Sequence, residues 1–189
     1  MKKTLVLILA AALFCTRLFA SDDSFFTPEV SLGTGISIYS ESADSLRKQI
    51  LNADDYKRIV AGLTLDTNIN LTEMIKVLVG AEAFSDFLWK KNGYYHSIDY
   101  AFFTGIKVFP NVRGLNFSIA YTLGNRSDFF NKKNATKSWG NGFRFSIQYD
   151  FMQDRNYKAR PFVGTYYRCV PRGNYNTDHI LCLYGGIRF

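Results

Sequence analysis

Leu115-Asn116-Phe117-Ser118-Ile119-Ala120-Tyr121-Thr122-Leu123-Gly124 decides the fold. Leu115, Phe117, Ile119, Tyr121 and Leu123 alternate with Asn116, Ser118, Ala120, Thr122 and Gly124. A period of two over ten residues puts all the large apolar side chains on one face of a β-strand, whereas a helix would scatter them. The same pattern recurs in both directions along the chain. Towards the N-terminus it runs through Val30–Ile38, Ile59–Asn70, Ile75–Ala83 and Ser97–Val108. Towards the C-terminus it runs through Gly142–Phe151 and Leu181–Phe189. Arg160–Cys169 has strand composition but alternates badly, and its faces cannot be read. Pro161 fits near the start of that strand, where a missing N–H is tolerated.

Eight runs of about ten residues match the length of a tilted strand crossing a bilayer. The connectors at 71–74, 110–114 and 152–158 read as short turns, and those at 41–57, 85–96, 125–139 and 170–179 as long polar loops. Pro110-Asn111 and Gln153-Asp154-Arg155-Asn156 carry turn chemistry. Ser45–Leu51 predicts a turn or two of helix in the first loop. The expected fold is all-β: an eight-stranded antiparallel up-and-down transmembrane β-barrel with short periplasmic turns and four longer extracellular loops.

The face opposite the apolar one argues for lipid outside rather than water. It is rich in Gly, Ser, Ala, Thr and Asn, which suits the crowded interior of a narrow barrel; a water-facing wall would carry many Lys and Glu. Asp66, Lys76, Glu82, Asp99, Lys107, Arg144, Asp150 and Arg188 fall on that small-residue face. They are expected to form a charged network in the lumen, because buried charges persist only when paired. Such a network either plugs the barrel or lines a narrow path. The 17 Phe, 12 Tyr and 2 Trp include candidates for aromatic belts. Phe25, Phe26, Phe109, Phe151 and Phe189 are placed at the turn-side rim, and Tyr39, Trp89, Tyr94, Tyr95, Trp139, Tyr166 and Tyr167 at the loop-side rim.

Residues 1–20 read as a secretory signal peptide: Lys2 and Lys3 precede the apolar run Leu5–Phe14, and Leu18-Phe19-Ala20 ends on a small residue. Cleavage before Cys15 as a lipoprotein is the competing reading. The apolar run is too short for a spanning helix. Residues 21–27 would be a periplasmic segment and 28–189 the barrel. Removing Lys2, Lys3 and Arg17 lowers the formal charge from +7 to +4, and no basic cluster suggests nucleic acid. Cys169 and Cys182 remain after processing; they either bridge neighbouring strands or stay as two thiols, since Cα spacing decides.

Only His96 and His179 could serve as bases. Same-face partners on one strand stand two residues apart, and those positions hold Ile98 and Leu181. No catalytic site is expected on this spacing, and no enzyme. No metal-ligand spacing or phosphate-binding loop is present, so neither metal nor cofactor is expected.

The last strand, Leu183-Tyr184-Gly185-Gly186-Ile187-Arg188-Phe189, ends on phenylalanine with alternate apolar residues. It resembles the C-terminal signal of outer-membrane proteins that the barrel-assembly machinery reads, with Tyr184, Gly186, Ile187 and Phe189 as its elements. The ending Gly-Ile-Arg-Phe resembles that of OmpX/Ail-type barrels. The arrangement over Pro28–Phe189 also resembles OmpW-like proteins and the small barrel families of treponemal spirochaetes. These resemblances imply Sec-type export to the bacterial outer membrane, with outer-membrane lipids as surroundings. The OmpW-like one implies passage of small or hydrophobic solutes. The Ail-like one implies adhesion to host surface molecules through loop residues such as Phe129, Phe130, Lys132, Lys133, Lys137, Arg172 and Tyr175. A purely structural barrel is the third possibility.

Overall fold

The computed structural model describes residues 25–39, 41–52, 55–91, 93–110, 112–131, 133–152, 158–173 and 177–189. The predicted leader, residues 21–24 of the 21–27 segment, Lys132 and Tyr175 lie outside these residues, as does the side chain of Lys133. Eight strands follow one another around a closed antiparallel barrel. They are β1 (Phe26–Ile38), β2 (Lys57–Asn70), β3 (Ile75–Lys90), β4 (Gly93–Val108), β5 (Leu115–Phe130), β6 (Lys133–Asp150), β7 (Arg160–Pro171) and β8 (Thr177–Arg188). Helix α1 (Glu41–Leu51) lies between β1 and β2. Closure comes from β1 pairing with β8, from Glu29 opposite Arg188 to Ile38 opposite His179. Closing the ring removes the two exposed edges an open sheet would carry.

The wall is inside-out relative to a water-soluble barrel. Outward positions hold large exposed apolar side chains, among them Leu32, Ile119, Phe145 and Leu183, and Phe102 is 75% exposed. Inward positions are buried and mostly polar. A contiguous apolar exterior of this extent is not found on water-soluble monomers, but it is what hydrocarbon requires of a spanning barrel. No helix among the described residues is long and apolar enough to cross a membrane.

Two of the four expected long loops are strand. β3 and β4 stay paired as far as Lys90 opposite Gly93. β5 and β6 stay paired as far as Phe130 opposite Lys133. The polar composition of 85–96 and 125–139 suggested loops because strands that leave the membrane no longer need one apolar face. Asn131 takes a left-handed φ of 48° at its tip, its N–H donates to Tyr94 O at 3.1 Å, and its Oδ1 accepts from Tyr94 N–H at 3.0 Å. This ties the two hairpin tips together. β3, β4, β5 and β6 have 16, 16, 16 and 18 residues, against 12 in β7 and β8. A bilayer uses about ten residues of a tilted strand, so these four rise above it by some six residues, on the order of 15 Å.

α1 packs inside this raised sheet. Ala43 and Ile50 join Tyr39, Leu88 and Tyr95 in a buried cluster, with Leu51 and Phe130 against it. Arg47 donates to Ser37 O at 3.1 Å, and Lys90 Nζ donates to Gln49 O at 3.0 Å.

β7 alternates after all. Phe162, Tyr166, Arg168 and Val170 face in and are buried, whereas Val163 and Tyr167 face out. Its pattern was illegible because this strand puts aromatic rings on both faces. The inward rings fit because neighbours are glycines: a Cβ on Gly164 would lie 2.7 Å from Tyr184 Cζ. Four belt assignments change. Tyr39, Tyr95, Phe109 and Tyr166 are buried inside the barrel, while Phe25, Phe26, Trp139, Phe151 and Tyr167 remain on the exposed surface.

Candidate functional sites in the lumen and on the raised sheet

Charged side chains from all eight strands cross the lumen in tiers. Near the turn end, Glu29 is the hub. It accepts from Lys107 Nζ at 2.8 and 2.9 Å, Arg188 Nε at 2.7 Å, Asn68 Nδ2 at 2.6 Å and Gln148 Nε2 at 3.3 Å. Arg188 also reaches Asp150 at 2.5 Å. At mid-height Glu82 binds Arg168 at 2.6 Å and Arg144 at 3.3 Å. The Arg144 guanidinium lies 4.2 Å from the Tyr166 ring centroid and 4.8 Å from that of Phe103, so aromatic faces share its charge. Arg168 continues to Asp99 at 2.8 Å. Asp99 meets Arg172, which holds Asp178 at 2.8 Å; Asp178 pairs with Arg126, and Arg126 with Asp128 at 3.1 Å. Tyr95 OH closes the series by donating to Asp128 at 2.8 Å. Below α1, Asp86 accepts from Arg58 at 2.8 and 3.0 Å and from Ser37 Oγ at 3.0 Å.

Six of the eight expected lumen residues take part: Glu82, Asp99, Lys107, Arg144, Asp150 and Arg188. Asp66 faces the lumen opposite Glu29, with Oδ1 buried and free of hydrogen bonds. Lys76 sits 4.7 Å over the Phe109 ring. Glu29, Asp86, Arg126, Asp128, Arg168 and Asp178 were missed. For Arg126 and Asp128 the signal was there: the inward series Asn116, Ser118, Ala120, Thr122, Gly124 continues unbroken through both.

Two candidate loop residues are corrected. Arg172 turns inward, its side chain buried between Asp99 and Asp178, since a guanidinium beside two carboxylates gains more there than in water. Phe130 packs against the α1 cluster. Phe129 faces outward. Cys169 and Cys182 are free thiols. Cys169 pairs with His179 and Cys182 with Tyr166, three positions apart on β7, so the two sulfurs fall on opposite sides of the wall and no bridge forms. In the terminal motif, Ile187 faces out and Tyr184 in, and Phe189 N–H donates to Pro28 O at 2.9 Å.

The outer face of the raised sheet holds a second group. Phe87 stacks on Trp89 at 5.1 Å, lies 5.7 Å from Tyr94, and meets the His96 ring edge-on at 5.2 Å. Phe129 lies 6.2 Å beyond His96. Ser85 Oγ is 2.9 Å from His96 Nε2. This pairing was invisible in the sequence because it crosses from β3 to β4, and the register that joins them depends on where the hairpin turns. On β7 and β8, Tyr167 OH meets His179 Nδ1 at 2.6 Å.

Fold and surface together define the class: a small eight-stranded barrel of the outer-membrane type. Among solved structures, Ail, the attachment invasion locus protein of Yersinia pestis, superposes with a TM-score of 0.55 at 12% identity, over 86% of this chain and 98% of that one. Neisserial surface protein A does so with a TM-score of 0.53 at 10% identity, over 87% and 96%. At these identities the likeness is one of fold. No protein-family model matches the sequence, and neither does any curated protein.

Proposed function

We propose that this chain is an integral outer-membrane protein, closed along its axis, that acts in recognition through the sheet it raises outside the cell. The observation that carries this reading is the lumen. Ion pairs link the walls from Asp150 near one end to Asp128 near the other, and Arg126, Arg168 and Arg188 are each only 1% exposed. A solute path would require these pairs to part, and each parted buried charge is costly. The even strand number brings both termini to the turn end, which makes that end periplasmic and the raised sheet external. The terminal phenylalanine motif supports insertion by the assembly machinery. Ail is described as an attachment protein and the neisserial barrel as a surface protein. Partly exposed aromatics such as Trp89, Tyr94 and Phe129, and the exposed Lys91 just past β3 and Lys137 of β6, suit binding to a surface molecule of another cell.

Two measurements test this. The refolded barrel in a planar bilayer should pass no discrete currents; channels that change when Lys107 or Glu82 is neutralised would replace recognition with solute passage. Shortening both hairpins, at 87–94 and 129–137, should cut attachment to host cells or matrix at least tenfold. Unchanged attachment removes the recognition role.

A further inference from the structure

Ser85 and His96 stand in the relation a serine nucleophile needs. Ser85 Oγ can donate to His96 Nε2 at 2.9 Å, and passing that proton to the imidazole activates the oxygen. The contact is diagonal: Ser85 is opposite Ile98, and Phe87 is opposite His96. The rings of Phe87 and Phe129 hold the imidazole on two sides. Ser85 and His96 are both partly exposed on the outside of the wall, so a reacting group arrives from the lipid side rather than from the sealed lumen.

Depth narrows the substrate. β4 ends at Val108 on the turn side, and, counted from there, about ten residues of tilted strand span the hydrocarbon. That brings the boundary near Asp99. His96 lies three residues further, on the order of 7 Å beyond it, within the headgroup layer. The ester linkages that join acyl chains to lipid headgroups lie in this layer. Trp89 and Tyr94 beside the pair are the residue types that settle at this depth.

We propose that Ser85 and His96 form an acyl-ester hydrolase site acting on a lipid of the adjoining leaflet. Ser85 Oγ adds to the ester carbonyl carbon while its proton passes to His96 Nε2. The bond to the lipid alcohol then breaks, and His96 returns the proton to the departing oxygen. Ser85 is left carrying the acyl group. Water attacks that ester, His96 takes a proton from the water and gives it to Ser85 Oγ, and a fatty acid leaves. The inference rests on the barrel standing in a bilayer and is independent of the recognition role.

The test uses the refolded full barrel in vesicles of a phospholipid with one fluorescent acyl chain, with heat-shifted migration on gels as the check on folding. A fluorophosphonate probe should label the folded protein at Ser85, and the vesicles should release fluorescent fatty acid. Ser85→Ala should abolish both. His96→Gln should slow both by at least 100-fold, the usual contribution of a general base. Folded protein that takes no label, or takes it elsewhere, overturns the site. Label at Ser85 with cleavage of water-soluble esters but intact vesicle lipid overturns the lipid substrate. Label and lipid cleavage by a barrel that binds no host surface would sink the recognition role and leave this site standing.

Discussion

The lumen and the outer face of the raised sheet use polar residues in opposite ways. In the lumen most charges are tied into pairs and larger clusters. Glu29 alone takes four donors from β2, β4, β6 and β8. On the raised sheet the polar atoms sit in small, partly exposed groups, such as Ser85 with His96. The first arrangement holds eight strands in one register; the second leaves reactive atoms accessible. The difference predicts that equally conservative substitutions will have very different costs in the two regions.

The largest effect should come from the Glu29 hub. Glu29→Ala leaves Lys107 and Arg188 buried with their main counter-charge gone, which costs about 3–5 kcal/mol for a buried pair broken from one side. Urea unfolding in vesicles or detergent measures it. Adding Lys107→Met should recover part of the loss, because the second change removes one of the orphaned charges. A Glu29→Ala barrel as stable as the parent would mean that the tiers are hydrated rather than interlocked.

Packing of the inward rings should rank next. In Gly164→Ala the new methyl would lie 2.7 Å from both the Tyr184 ring and the Ile147 carbonyl oxygen. Overpacking of this kind costs about 1–3 kcal/mol. Tyr184→Leu in the same chain should relieve part of the strain on the ring side.

The same contrast explains what was legible in the sequence. Between Leu115 and Gly124 one face must meet hydrocarbon and the other a crowded lumen, so the alternation is written residue by residue. Strand count, order and part of the lumen charge set follow from it. Beyond Gly124 the apolar face stops being required, and Arg126-Ser127-Asp128 reads as loop although its inward parity persists. Arg172 lies just past the end of β7 and gives no period at all; only the folded wall reveals that it reaches Asp99 and Asp178. Ser85 and His96 are eleven positions apart, a spacing that becomes a contact only when β3 and β4 pair with Lys90 opposite Gly93.

α1 lies between the two regions and should show an intermediate, local effect. Arg58→Ala removes two hydrogen bonds to Asp86 and loosens the junction of β1, β2 and β3 beneath the helix. Arg47 keeps its contact with Asp86 at 3.8 Å, so the barrel itself should stay folded. Amide exchange should quicken across 41–51 and change little in β5 and β6. Uniform acceleration would show that α1 and the barrel open as one unit.

The smallest effect on stability is expected at Ser85. Its hydroxyl is partly exposed and its partner His96 is held by two rings as well, so Ser85→Ala should change unfolding by no more than about 1 kcal/mol, the low end for a hydrogen bond water can replace. The same measurement on Thr122→Val, a fully buried lumen hydroxyl with no hydrogen bond to its oxygen, should be neutral or stabilising. Set beside Glu29→Ala, the three values would order the molecule by how far each polar atom is committed to holding the wall. A loss of several kcal/mol at Ser85 would make its contact with His96 part of that scaffold, and the raised sheet would then differ from the lumen only in its exposure.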